Sequence, residues 1–294
     1  MSELRPVAKV VPSLRTVEGG GFVVRRTFPT GRLDMVDPFL LLDHMGPSDY
    51  GPGEAVGASD HPHRGFETVT YMLEGAFEHR DSSGGGGYLG PGDVQWMTAG
   101  AGIVHSELPA ERIRREGGRV HGLQLWVNLP RADKMAPPRY QEIKADEIPS
   151  AEPAPDARVR VVAGDVFGVH GPVDTHSPIV YLHVTLSPGA SLDVPVPPGH
   201  QAMAYVIRGH GRFGADETTA GESELVVFAG DEGGVHLETP DDADHPLDAL
   251  VISGVPLREP VARYGPFVMN TREELVQAVD DYQSGAMGRI AATS

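Results

Sequence analysis

Apolar positions along this chain fall into short blocks of five to nine residues: "GFVVRRTF", "FETVTYML", "VQWMT", "HGLQLWVNL", "VRVVAG", "IVYLHVTL", "AMAYVIRG", "ELVVFAG" and "LDALVISG". Several alternate apolar and polar residues with period two, and turn formers (glycine, proline or aspartate) separate them. That rhythm predicts half-buried and fully buried strands of a sandwich or barrel. Between about 136 and 158 five prolines and several acids interrupt any period, which reads as the connection between two β units. The tail changes period. In "NTREELVQAVDDYQSGAMG", Thr271 followed three residues later by Glu274 is a capping-box signature, Leu275, Val276, Val279 and Tyr282 recur at helical spacing, and Gly285 is a stop. One amphipathic C-terminal helix is therefore expected on an all-β body.

A length of 294 residues fits two domains at roughly 150 residues each, and the proline-rich segment divides them into 1–140 and 141–294. The halves show a short self-similarity. "FETVTYMLEGAF" placed over "HQAMAYVIRGHG", at an offset of 134 residues, puts Tyr71 on Tyr205, Leu73 on Ile207 and Gly75 on Gly209. Two ordinary strands ending in glycine turns would look the same. A true repeat would give both halves one fold, and the same offset would put His61 on Pro195, His63 on Pro197 and Glu67 on Gln201.

Composition narrows the function. The formal charge of −17 repels phosphate backbones and anionic membrane surfaces, and the densest basic run, "ERIRREGGR", carries its own glutamates. No direct nucleic-acid or membrane partner is expected. The 37 glycines and 26 prolines accompany abundant apolar residues, as in a turn-rich β protein. With no cysteine, neither disulfides nor thiolate ligands are available, so any metal must be held by histidine and carboxylate. The first residues have no apolar core of signal-peptide length and no run approaches a membrane span, which points to a cytoplasmic protein.

Two histidine pairings carry the candidate chemistry. "DHPHRGFETVTYMLEG" places His61 and His63 at i and i+2, on one face of a strand with Pro62 on the other. "GAGIVHSELP" places His105 and Glu107 in the same relation. Three imidazoles and one carboxylate form a mixed nitrogen–oxygen set suited to iron, manganese, copper, nickel or zinc, and poor for calcium or magnesium. On a metal that prefers six ligands, two positions stay open. His236 and Glu238 repeat the H-x-E spacing in the second half, where the H-x-H is replaced by prolines. Phe66, Trp96, Met97 and Leu125 are core residues that could also line an aromatic pocket. Gly84 to Gly87 read as a hairpin tip and "PDDADHP" as a solvated loop.

These residues resemble the cupin superfamily, and within it the pirin family. "HPHRGFETVTYMLEG" follows the first cupin motif with one extra residue before Gly75; "GDVQWMTAGAGIVHSE" follows the second loosely, with Thr98 at the proline position and two extra residues before His105. "DPFLLLDHMGP", "GLQLWVNLP" and "YGPFVMNTREELVQAVDDY" also look like pirin sequence. The resemblance implies an all-β bicupin: two jelly-roll barrels packed together, an N-terminal metal-binding domain (1–140) and a C-terminal metal-free domain (141–294) that includes the C-terminal helix. It implies one iron per chain on His61, His63, His105 and Glu107, with nickel, copper, zinc or manganese as substitutes. Glu67 occupies the acid position of the general cupin motif but is not a pirin ligand. The implied activity is a quercetin 2,3-dioxygenase-type cleavage of flavonols by dioxygen in a monomer, with Glu107 as the base. The same family implies an alternative, a non-catalytic iron-dependent regulator that binds a protein partner.

Overall fold

The computed structural model describes residues 3–18 and 20–291. All nine apolar blocks form strands, for example Phe66–Glu74, Val94–Thr98, Gly118–Asn128, Gln201–Arg208 and Leu247–Gly254. The chain divides into two compact units, each built from a seven-stranded and a four-stranded sheet, the two-layer solution of a jelly roll. Among the described residues no helix is long and apolar enough to cross a membrane.

In the first unit the large sheet runs Arg139–Ile143, Val94–Thr98, Phe66–Glu74, Gly118–Asn128, Phe39–Tyr50, Phe22–Phe28, Leu14–Glu18; the small one runs Ala58–His63, Ile103–Pro109, Phe77–Asp81, Gly86–Leu89. In the second unit the large sheet runs Val7–Pro12, Glu224–Phe228, Gln201–Arg208, Leu247–Gly254, Ile179–Leu186, Ala157–Ala163, Ser150–Ala154; the small one runs Ser191–Val194, Val235–Glu238, His210–Phe213, Thr218–Gly221. The internal similarity is structural. Tyr71 pairs with Leu123 and Val94, as Tyr205 pairs with Leu250 and Leu225. Gly75 and Gly209 both end their strands at left-handed φ, 78° and 82°, where a side chain would be strained.

The units do not follow a cut at residue 140. Of the described residues, the second holds those within 1–14, 27–38 and 146–256, and the first those within 15–26, 39–145 and 257–294. Local patterning shows that Val7–Pro12 is a strand but not that its partner is Glu224–Phe228. The proline-rich connection likewise holds two strands, Arg139–Ile143 and Ser150–Ala154, each at a sheet edge. An edge tolerates Pro153 because one side of the strand needs no ladder donor.

The C-terminal helix spans Arg272–Ser284 with the expected capping box between Thr271 and Glu274 and Gly285 in the left-handed C-cap. It belongs to the first unit, not to the second. Leu275, Ala278 and Val279 pack inward against Val104, Phe267, Met269 and Met287. Val276, expected on that face, is 61% exposed, because the inward stripe is narrower than the apolar pattern implied.

Candidate metal centre

The histidines of the two motifs meet across one antiparallel pair. Ala58–His63 and Ile103–Pro109 are register neighbours, with His105 opposite His61 and Ile103 opposite His63. Alternation sends all three imidazoles to one side, and their ligand nitrogens lie within 4.8 Å of one another. The rings are mutually tilted, with centroids 4.4 to 4.9 Å apart. His61 Nδ1 donates to Ser59 O at 2.7 Å, which leaves Nε2 with its lone pair directed at His63 Nε2, 3.0 Å away.

The chemistry of these nitrogens fits a metal ion. Both His105 nitrogens are buried without a hydrogen-bond partner, an arrangement that a protein rarely leaves uncompensated. Burial first, and then the neighbouring imidazoles, hold the pKa values of His63 and His105 well below the ordinary histidine value; the Pro266 carbonyl opposes this at His63. Both rings are therefore neutral at pH 7, the form that donates a lone pair to a metal.

Glu107 sits at the edge of this cluster. A bulge on Ala58–His63 shifts the register there, so Glu107 lies opposite Ala58; on its other side the ladder is regular and Glu107 lies opposite His79. One of its carboxylate oxygens, Oε2, lies 4.0 Å from His105 Nε2 and accepts from Gln124 Nε2 at 3.0 Å; Oε1 accepts from Thr70 Oγ1 at 3.0 Å. The carboxylate is thus aimed beside the imidazoles by two polar side chains.

Glu67 is directed elsewhere. On Phe66–Glu74, Phe66 touches the His63 ring and Thr70 reaches Glu107, so the even-numbered positions face the cluster. Glu67 lies on the opposite face, where it accepts from Thr98 Oγ1 at 2.7 Å. The same alternation separates the aromatic-pocket candidates: Met97, opposite Thr68, shares the Phe66 face, whereas Trp96 and Leu125, both opposite Val69, share the Glu67 face.

Three residues of the site carry no sequence motif. Thr70 and Gln124 are cross-strand partners, and Trp126 lies opposite Thr68 on the same face. Trp126 stands edge-on to His63 at 5.2 Å and tilts over Phe66 at 4.3 Å. Leu123, Leu125 and Val127 are buried on the other face, whereas Gln124 and Trp126 keep partial exposure. Period-two counting from Phe66 finds Thr70; Gln124 and Trp126 need the register between distant strands.

Residues 21–127 match the Pirin family, and residues 181–288 match the Pirin C-terminal cupin domain. A pirin-like protein of Solanum lycopersicum is 45% identical over 288 residues, 98% of this chain and 94% of that protein. The chain belongs to the pirin family. A Pseudomonas aeruginosa relative provisionally named a quercetin 2,3-dioxygenase is 45% identical over 270 residues, covering 91% of this chain and 92% of its own. A crystal structure of quercetin 2,3-dioxygenase from Acinetobacter baumannii has a TM-score of 0.90 and 36% identity, over 99% of this chain and 100% of that one.

The second unit of this pirin fills the equivalent space differently. Where the first has Thr68, Thr70 and Gln124, the matching ladder positions hold Ala202, Ala204 and Val251; both alanines and the valine lie in a continuous apolar core with Val206, Phe213 and Phe228. The residue opposite His236 is Asp193, not a proline, because the offset of 134 residues slips by two outside the paired strands. His236 Nδ1 lies 2.6 Å from Asp193 Oδ1, and Glu238 pairs with Arg212 at 3.2 Å.

Proposed function

We propose that this chain is an iron-dependent flavonol dioxygenase of the quercetin 2,3-dioxygenase type. The observation that carries the reading is the convergence of three imidazoles, those of His63 and His105 held neutral by burial and both His105 nitrogens unpartnered, beside the rings of Phe66 and Trp126. The names of the Pseudomonas and Acinetobacter relatives support it.

In this reading His61, His63, His105 and Glu107 hold the ion, which when bound supplies Lewis acidity and brings flavonol and dioxygen together. The chain's own groups do the rest. Trp126, partly exposed and backed by Phe66, offers an apolar ring to a planar aromatic substrate. Glu107, held by Thr70 and Gln124, is the carboxylate placed to take the proton of the flavonol 3-hydroxyl. The deprotonated flavonol then takes up one dioxygen, and its central ring opens to an ester with release of carbon monoxide.

The test is oxygen uptake and carbon monoxide release from quercetin by iron-loaded protein. Glu107→Gln keeps an oxygen donor of the same shape and loses basicity, so turnover per bound iron should fall by about 10²–10⁴-fold, while the three imidazoles retain metal. Parent-like turnover in that variant removes Glu107 as the base. No turnover by the parent at full iron loading rejects the enzymatic reading in favour of a regulator that binds a protein partner.

A further inference from the structure

The outward side of the histidine-bearing strands is covered by the C-terminal segment. His61 and His63 face the interior, so Pro62 between them faces outward, as does its register partner Val104 beside His105. Val104 is buried against Phe267, Met269, Leu275, Ala278 and Met287. The backbone following His63 is tied to the same segment: Arg64 N donates to Pro266 O at 3.4 Å, and Val268 N donates to Arg64 O at 3.1 Å.

Two charged side chains complete this attachment. The ammonium of Lys134, only 2% exposed, donates to Gly65 O at 2.8 Å, Val268 O at 3.0 Å and Asn128 Oδ1 at 2.7 Å, so each of its three protons has an acceptor. The Arg64 guanidinium donates to Ala101 O at 2.6 Å and pairs with Asp281 of the helix at 2.8 Å. A buried charge is costly unless fully compensated. Simple packing of the C-terminal segment needs neither ion.

We propose that Lys134, Arg64 and Asp281 are positioning residues for His63. They lock the two residues after it to the C-terminal hairpin, in which Ala262–Tyr264 pairs with Phe267–Met269, and to the helix, so the imidazole is set for metal before metal arrives. A free segment would have to be ordered on binding, and that entropy would subtract from affinity. The inference rests on the reading of the three histidines as metal ligands.

The experiment is a cobalt(II) titration of the full-length, chelator-treated protein, followed by the visible ligand-field bands, at a temperature well below the melting point of each variant. Asp281→Asn and Lys134→Met should raise the dissociation constant about 10-fold or more, as loss of outer-shell partners does, and should change the bands. Asp281→Glu should restore part of the affinity. Asp281 is partly exposed, so its variants test the proposal even if Lys134→Met does not fold. Parent-like affinity and bands in Asp281→Asn, with or without a lowered melting point, overturn the positioning role. Failure of the parent to bind cobalt(II) overturns the three-histidine reading itself, and the positioning role with it.

Discussion

A second pair of histidines shows how strongly burial governs protonation in this barrel. His44 is fully buried, with Nε2 2.6 Å from His121 Nε2, and it borders a cleft of about 660 Å³ that does not include His61, His63 or His105. Burial, helped by His121 and Arg25, lowers its pKa from 6.5 to about 3. Between those values the unfolded chain binds a proton that the folded chain refuses. The favourable balance is therefore complete above pH 6.5 and is lost as pH falls toward 3. One such group contributes up to about 1.4 kcal/mol per pH unit to the loss; metal-free His63 and His105 act in the same direction. Unfolding titrations of His44→Gln between pH 4 and 6 should show a slope shallower by up to one proton. Equal slopes for parent and variant would show that His44 is not the group responsible.

Among the elements, the segment joining Ala58–His63 to Phe66–Glu74 is tightly constrained. Gly65 has φ of 87°, and a Cβ there would stand 2.0 Å from Val268 O and 2.8 Å from Met269 Sδ. Gly84, at the hairpin tip, has nearly the same φ, 88°, with nothing within 4 Å of its Cβ position. Both alanine variants incur the left-handed strain, about 1–3 kcal/mol. Only Gly65→Ala also pushes the C-terminal hairpin away from the histidine strand. Urea unfolding should show Gly65→Ala as the more damaging by a margin beyond that shared strain, and similar stabilities would mean that the hairpin yields freely.

At the scale of the whole molecule, two copies of one fold have diverged in what fills them. The first surrounds three histidines with Thr70, Gln124 and Trp126; the second closes over aliphatic side chains, and its His236 is satisfied by Asp193. We expect one tightly held metal per chain, retained by His236→Ala and lost by His63→Ala. Metal analysis after dialysis decides this, and a second equivalent lost on changing His236 would contradict it.

Much of this protein was legible in the sequence because the signals are local. Period-two apolar blocks set the strands, Thr271, Glu274 and Gly285 set the helix, and i, i+2 spacing puts His61 with His63 and His105 with Glu107 on common faces. The tertiary structure decided what local spacing cannot encode, namely which strands pair and in what register. It placed His105 opposite His61, Gln124 opposite Thr70, and Glu67 on the far side of its strand. It also assigned Val7–Pro12 to the second unit and the C-terminal helix to the first, so neither unit is a continuous stretch of chain. The physical reason is that a strand's apolar pattern fixes which face it buries, whereas its neighbour is selected by the packing of all the strands together.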